Sequence, residues 1–112
     1  MLNEKVAIVT GAISGICLEI AREFAARGAR VIVCSSSSAS ARKASSLIVK
    51  GRAYPEQLNV TEPNDVAHFV RRVRGRHNHI DILVNNAGDI ASNDFSFTTG
   101  NTIVIDGGTV LL

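Results

Sequence analysis

The sequence has 112 residues, of which 46% are hydrophobic and 20% charged, a size and composition typical of one globular domain. Its net charge of +2 is too small to support nucleic-acid binding, which depends on contacts with many phosphates. No stretch reaches the roughly 20 apolar residues of a membrane span, and the first residues lack a signal-peptide pattern, so we expect a cytoplasmic protein without a membrane partner. Cys17 and Cys34 are too few for a disulfide framework and suit a reducing compartment.

The first part of the chain predicts a strand, a helix and a second strand. Residues 6–9 form a continuous apolar run, which is typical of a strand covered on both faces. In the helix that follows, Ile16, Ile20 and Phe24 recur at helical spacing, joined by Cys17, Ala21 and Ala25. Gly28 stands where a helix commonly ends in a left-handed residue, and residues 31–34 predict the second buried strand.

The next segment predicts a weaker helix and an edge strand. Serines at 35–38 indicate the loop after the second strand, and the weaker helix that follows is expected to end at Gly51. The inward positions expected for this helix are Ala41, Ala44, Leu47 and Ile48. Residues 53–58 predict a third strand, which we place at a sheet edge because Pro55 cannot donate a ladder hydrogen bond.

A third helix has a regular apolar stripe. Thr61 is its expected N-cap, with Glu62 and Asp65 favourably placed in the first turn. The stripe consists of Val66, Phe69, Val70 and Val73. Arginines at 71, 72, 74 and 76 crowd its last turns, and we interpret them as a solvated helix terminus. A metal site, which needs several ligands close together, is not expected at His68, His77 or His79.

Residues 80–84 and 102–105 predict two further strands on either side of a polar, irregular segment. The alternation of strands and helices predicts an α/β fold, with a three-layer Rossmann-like parallel sheet in a single domain over residues 1–112. The segment from Gly88 to Asn101 is barely long enough for a parallel crossover. Whether the last strand pairs within the chain, swaps with a neighbour or stays unpaired is therefore left open.

The stretch from Thr10 to Ile16, between the first strand and the first helix, is the most informative. A diphosphate needs backbone N–H groups at a helix N-terminus, where the helix dipole also favours negative charge. Gly11 and Gly15 permit that close approach because glycine has no Cβ and tolerates positive φ. Two glycines alone are a weak signal, but their position after a buried strand and before an amphipathic helix strengthens it.

Four separated motifs resemble those of the short-chain dehydrogenase/reductase family. They are Thr10-Gly11 with Gly15-Ile16, Leu58-Asn59-Val60-Thr61, Asn85-Asn86-Ala87-Gly88, and Phe97-Thr98-Thr99-Gly100 through Asp106-Gly107-Gly108. They follow the family's order and span nearly the whole chain. The resemblance implies a sheet in the order 3-2-1-4 plus a C-terminal strand, and NADP or NAD as cofactor.

The resemblance also implies roles for particular positions. Those expected along the pyrophosphate and ribose are Gly11, Ile13, Ser14, Gly15 and Ile16. Those expected beside adenine are Asn59 and Val60, and those beside the cofactor at the carboxyl edge of the sheet are Asn86, Ala87 and Gly88.

The loop after the second strand bears on the choice of cofactor. An acidic residue there usually holds a ribose 2′-hydroxyl, and a basic one a 2′-phosphate, but residues 34–38 contain neither. The absence of a repelling carboxylate slightly favours NADP, with Ser36 and Ser37 as donors and Arg42 or Lys43 nearby. A flexible loop that selects neither cofactor is the alternative.

Cys17 departs from the family pattern because it stands where the turn usually has its third glycine. That glycine allows close packing of helix and strand, so the added Cβ and sulfur predict weakened cofactor binding. The alternative is a reactive thiol, since a helix N-terminus lowers a thiol's pKa.

The catalytic residues that the family implies, a serine and a Tyr-x-x-x-Lys pair, have no counterpart. The sole tyrosine, Tyr54, is followed four residues later by Leu58, and Ser92 and Ser96 lack a partner base. We therefore expect a truncated or internally deleted member, a weak cofactor binder with no catalytic residues and no turnover of its own.

Two other interpretations are open. The chain is alternatively a non-catalytic interaction module, with vestigial nucleotide binding and self-association through an exposed sheet edge. The abrupt junction after Gly88 also suits an engineered or alternatively spliced fragment. The substrate class cannot be inferred, because the residues that shape a substrate pocket have no counterpart here.

Overall fold

Strands and helices alternate along the chain, as the sequence pattern predicts. The computed structural model describes residues 2–11, 15–59, 62–85, 101–106 and 109–111. The helices are α1 (Gly15–Ala26), α2 (Ser38–Ser46) and α3 (Pro63–His77). The strands are β1 (Val6–Thr10), β2 (Arg30–Ser35), β3 (Ala53–Gln57), β4 (Ile82–Asn85), β5 (Asn101–Asp106) and β6 (Thr109–Leu111).

The strands form one sheet in the order β3-β2-β1-β4-β5-β6. Strands β1 to β5 pair in parallel, and β6 is antiparallel to β5. The α/β class and the order 3-2-1-4 are thereby confirmed. The question left open for the last predicted strand is also answered, because β5 pairs with β4 of the same chain, with Ile82 opposite Asn101. The sequence pattern does not predict β6, which has three residues and is too short to show a period.

Helices cover both faces of the sheet and give the three expected layers. Every residue of β1 is buried, so this central strand is packed on both sides. Val6 and Ile8 belong to the hydrophobic cluster that Phe69 of α3 forms on one face. Val9 lies in the cluster on the other face, with Ala21 of α1.

The buried face of α1 is lined by small side chains, which are Cys17, Ala21 and Ala25. The bulkier row is less buried: Ile16 is 43% exposed, and Ile20 and Phe24 are partly buried. Small side chains let the helix lie close to the sheet, and the larger ones then cover the margins of the contact. The periodicity predicts the helix correctly but does not decide which row faces the sheet.

Helix α2 is shorter than expected. It ends at Ser46, with Leu47 at its C-cap. Ala41, Ala44 and Ile48 are buried as predicted, but Leu47 is 52% exposed, so its inward assignment is wrong. The reason is that helical periodicity no longer applies once the chain has left the helix.

Strand β3 forms one edge of the sheet, as Pro55 predicts. Within the described sheet it is paired with β2, and Pro55 lies opposite Val33. The carboxylate of Glu56 accepts hydrogen bonds from Arg72 at 3.3 Å and Arg76 at 3.1 Å. Arg72 and Arg76, two of the arginines interpreted as a solvated terminus, therefore form ion pairs between α3 and the edge strand β3. Helical spacing alone does not reveal this tertiary contact.

Helix α3 begins at Pro63, with Glu62 in the N-cap position and no side-chain capping hydrogen bond. Thr61, the expected N-cap, lies outside the described residues. Asp65 instead accepts the N–H of Asn59 at 2.8 Å. The predicted stripe is buried, namely Val66, Phe69, Val70 and Val73. Among the helices in the described ranges, none combines the length and apolar character needed to span a membrane.

Candidate functional site

The carboxyl ends of the parallel strands lie along one edge of the sheet. Thr10 is the last residue of β1, Ser35 of β2 and Gln57 of β3. Ser35 lies opposite Gln57 where β2 and β3 pair. Gly11, the serines that follow β2, and Asn59 come directly after these strand ends. The fold thus brings three predicted segments, distant in sequence, to the same edge. In open α/β sheets this edge is where ligands bind.

Two glycines with positive φ angles flank the turn between β1 and α1. Gly11 has a φ of 68° and Gly15 a φ of 65°, a conformation that residues with a Cβ disfavour. The Gly11 N–H still donates to the Cys34 carbonyl at 3.1 Å, so the chain leaves the sheet only after this residue. Glycine therefore builds both ends of the turn, as the sequence predicts. Ile13 and Ser14, which lie between them, are outside the described residues.

The described residues leave space for an anion beside the first turn of α1. A Cβ added to Gly15 would meet no described atom within 4 Å, apart from its chain neighbours and its own helix backbone. The turn contains no acidic side chain. The first N–H groups of a helix have no partner within it, and together with the helix dipole they attract negative charge. Ile16 adds a partly exposed apolar surface beside them.

The serines after β2 are organised as the start of α2. Ser37 is the N-cap: its Oγ accepts the Ser40 N–H at 3.3 Å, and its own N–H donates to Ser35 Oγ at 3.3 Å. The Ser36 carbonyl accepts a hydrogen bond from the side-chain amide of Gln57 at 3.0 Å. Ser36 and Ser37 are both exposed at the carboxyl edge. These contacts give the loop after β2 a defined conformation, and the cofactor that this loop selects stays a prediction.

The other predicted positions fall at the ends of β3 and β4. The N–H of Asn59 donates to Asp65, so the first turn of α3 holds the segment that follows β3. Val60 lies outside the described residues. So do Asn86, Ala87 and Gly88, which directly follow the end of β4 at Asn85.

Thr10 is a buried polar residue whose role the sequence pattern does not show. It is 1% exposed, and its hydroxyl donates to the Val84 carbonyl at 3.4 Å. This contact ties β1 to β4 immediately before the glycine turn. The sequence feature that could have indicated this contact is a hydroxyl side chain at the end of an otherwise apolar strand.

Cys17 lies in the contact between α1 and the sheet. Its side chain is 1% exposed and belongs to the same buried cluster as Val9. Burial raises the pKa of the Cys17 thiol, which is opposite to the lowering that a reactive thiol requires. The structure therefore favours a packing role for Cys17 and argues against the reactive-thiol alternative.

Tyr54 lies away from the carboxyl edge. Tyr54 belongs to β3 and lies opposite Ile32 of β2. Its hydroxyl is 3.5 Å from the carbonyl oxygen of Gly51, which precedes β3. The hydroxyl therefore points toward the amino end of β3 rather than toward the glycine turn. Across the residues that the structure describes, no group of three or more side chains is arranged to hold a metal ion.

The short chain dehydrogenase family model matches residues 5–104, and the chain therefore belongs to the short-chain dehydrogenase/reductase family. The uncharacterized oxidoreductase YxjF of Bacillus subtilis is 42% identical over 91 residues, which cover 78% of this chain and 35% of that protein. The 3-oxoacyl-(acyl-carrier-protein) reductase FabG of Escherichia coli is 41% identical over 85 residues, covering 75% and 34% respectively. The chain thus spans about a third of the length of these curated relatives.

Solved structures show the same fold. A metagenomic short-chain oxidoreductase in complex with NADP is 36% identical with a TM-score of 0.73, over 79% of this chain and 41% of that one. A hydroxysteroid dehydrogenase from Escherichia coli is 33% identical with a TM-score of 0.71, over 85% and 43%. Both are similar to this chain over more than three quarters of its length.

Proposed function

We propose that this chain binds a nicotinamide dinucleotide at the carboxyl edge of the sheet, with the pyrophosphate at the start of α1. The observation that carries the proposal is the pair of left-handed glycines, Gly11 and Gly15, around an open helix N-terminus without acidic side chains. Ile13, Ser14 and Ile16 complete this part of the site. Expected beside adenine are Asn59 and Val60, and beside the cofactor after β4 are Asn86, Ala87 and Gly88.

NADP is slightly favoured over NAD. Ser36 and Ser37 offer hydroxyl groups where a 2′-substituent is expected, and no carboxylate occurs among residues 34–38 to repel a phosphate. The Arg42 guanidinium lies 3.5 Å from Ser38 Oγ, so a basic group reaches the start of α2. The NADP complex of the metagenomic relative supports the same preference.

We further propose that residues 1–112 form one domain without turnover of its own. Lys5, Lys43 and Lys50 all precede Tyr54, which leaves the tyrosine without the lysine that follows it by four residues in the family's Tyr-x-x-x-Lys pair. Its hydroxyl also faces the end of β3 opposite to the proposed cofactor. A hydroxyl without a base is a poor proton donor or acceptor. Both cysteines are free thiols, which fits the expected cytoplasmic location.

The alternative of an interaction module that pairs through a sheet edge has less support. The flank of β4, whose pairing the sequence left open, is covered by β5, and β6 forms the edge of the described sheet on that side. At the opposite edge, Pro55 removes one donor from β3, and Glu56 is engaged by Arg72 and Arg76. We therefore propose nucleotide binding rather than strand pairing as the primary function.

Calorimetric titration with NADPH and with NADH, together with thermal melts in each, tests the proposal. Because a ligand that binds only the folded state stabilises it by mass action, we expect NADPH at about 100 times its Kd to add about 2.7 kcal/mol to the unfolding free energy. NADH is expected to bind more weakly. If the titration shows no heat of binding and the melts show no shift in melting temperature, the cofactor site is excluded. If the purified chain oxidises NADPH in the presence of any carbonyl substrate, the proposal that it has no turnover of its own is wrong.

Cys17→Gly is expected to strengthen NADPH binding several-fold while destabilising the fold. Removing the Cβ and sulfur lets α1 settle closer to β1, but glycine costs about 1 kcal/mol in a helix and a buried group is lost. Titration calorimetry measures the first effect and urea denaturation the second.

Cys17→Ala is the matched control, because it removes the sulfur but keeps the Cβ. We expect it to recover only part of the gain in affinity. If Cys17→Gly binds NADPH no more tightly than the parent chain, the cysteine does not restrict the site.

A further inference from the structure

His77, the last residue of α3, is buried although it is an ionisable side chain. It is 7% exposed, and its ring meets that of Tyr54 on β3 with centroids 4.8 Å apart and planes at 69°. Its Nδ1 is buried and has no hydrogen-bond partner among the described residues. The edge-on contact orients the imidazole, and the described residues offer no acceptor for a proton on Nδ1.

The charged groups that act on His77 come from β2, β3, α3 itself and the loop after α3. They are Arg30 of β2, Glu56 of β3, Arg76 of α3 and His79 in the following loop. The single carboxylate among them, Glu56, already accepts hydrogen bonds from Arg72 and Arg76. The positive charges of Arg30 and Arg76 both act against protonation of the imidazole, and no uncommitted carboxylate among these groups balances them.

Arg30 and His79 are each paired with a carboxylate of their own. Arg30 pairs with Glu4 at 2.9 Å, and His79 pairs with Asp81 at 3.0 Å. The nearby carboxylates are thus paired with other groups, and Glu56 offsets only part of the effect that burial and the two guanidinium groups have on a charged imidazole at residue 77. Protonation would leave a buried N–H without an acceptor and a buried positive charge beside two others, and each carries a free-energy cost.

We propose that His77 is an acid-sensitive latch: in its neutral form it closes the last turn of α3 onto β3, and its protonation releases that turn. Tyr54 and the ion pairs of Glu56 form the surface on which it closes. The latch lies on the side of β3 away from the proposed cofactor edge, and its test does not depend on cofactor binding.

The direction of the pH effect follows from burial and charge. Burial, together with Arg30 and Arg76, lowers the pKa of His77 below its ordinary value. Below about pH 6.5 the unfolded chain takes up a proton at this position that the folded chain resists, so folding becomes less favourable. The stabilisation is present above that pH and is lost as the pH falls through the lower folded-state pKa. Each pH unit in this window lowers the folding equilibrium constant by up to about tenfold.

Urea denaturation at steps from about pH 8 to about pH 5 tests the latch, because histidine is the side chain that ordinarily titrates there. We expect His77→Phe, which keeps a ring against Tyr54 but cannot be protonated, to flatten the loss of stability below about pH 6.5. His68→Gln is the matched control, since His68 is exposed on the same helix, and it should keep the pH dependence of the parent chain.

Two outcomes would overturn the latch. One is a His77→Phe variant with the same acid sensitivity as the parent chain. The other comes from hydrogen exchange on the parent chain, which needs no variant to fold: equal protection of the last turn of α3 at about pH 5.5 and about pH 7.5 would show that acid does not release it. Selective loss of protection in that turn at the lower pH supports the proposal.

Discussion

Gly15→Ala is expected to lower the affinity for NADPH by about tenfold or more, equivalent to about 1.4 kcal/mol or more. Gly15 has a φ of 65°, and a Cβ there would project into space that contains no described atom within 4 Å. We propose that the pyrophosphate approaches the first N–H groups of α1 through this space. A methyl group would hold the phosphate oxygens away from those donors, where hydrogen bonds to a charged group contribute most.

Gly51→Ala is a closely matched control. Gly51 has a φ of 86°, and a Cβ added to it also meets nothing within 4 Å, but it lies before β3, at the end opposite to the carboxyl edge. Both variants carry an alanine in the left-handed region, so both should lose about 1 kcal/mol of stability. Calorimetric titration should show normal NADPH binding by Gly51→Ala alone. Equal affinities of the two variants for NADPH would contradict the proposal that the start of α1 belongs to the cofactor site.

Phe69→Ala is expected to lower the unfolding free energy by about 3–5 kcal/mol. Among the residues that the structure describes, Phe69 is the largest fully buried side chain, and it belongs to the cluster through which α3 packs on the sheet. Its removal leaves a cavity between α3 and β1, and it also removes the ring that lies 5.9 Å from the Arg72 guanidinium carbon. Because small domains are stable by only about 5–15 kcal/mol, a large part of the total is lost. Urea denaturation followed by circular dichroism measures the change.

Phe24→Ala makes the same substitution in α1, where the ring is partly buried at the margin of the other cluster. We expect a loss of about half that of Phe69→Ala or less, since the site opens to solvent and leaves no closed cavity. Similar losses for both variants would contradict the burial difference between the two rings. The comparison also tests whether α3 contributes more to the stability of the sheet than the margin of α1.

Short apolar runs and breaker residues predicted most of the elements. Residues 6–9 were apolar at every position because β1 is buried on both faces, and Pro55 indicated an edge strand because it lacks an N–H. Gly28, with a φ of 97°, ends α1 as expected. Leu47 was misplaced because its apolar character carries no information about where the helix stops.

The candidate site was predictable to the extent that its parts are local. Gly11 and Gly15 follow from a backbone requirement that few other residues meet, so they are visible in the sequence. The use of Ser37 as the cap of α2 was not predicted, although serine is a favoured N-cap, because a serine cluster is also typical of a loop. Thr10 was not recognised as a tie between strands because its partner, the Val84 carbonyl, is far away in sequence.

The amino-acid sequence by itself determined the family, the order of strands and helices, and the glycine turn, because these depend on local periodicity and on residues with special backbone freedom. Only the tertiary structure decided which row of α1 faces the sheet, that β5 covers β4, and that Glu56 and Tyr54 gather the end of α3 onto the edge strand. The physical reason is that burial and charge pairing arise between segments brought together by folding. His77 illustrates it: in the sequence it is one of the histidines at the end of a helix, and packing against β3 makes it a buried group whose Nδ1 has no hydrogen-bond partner among the described residues.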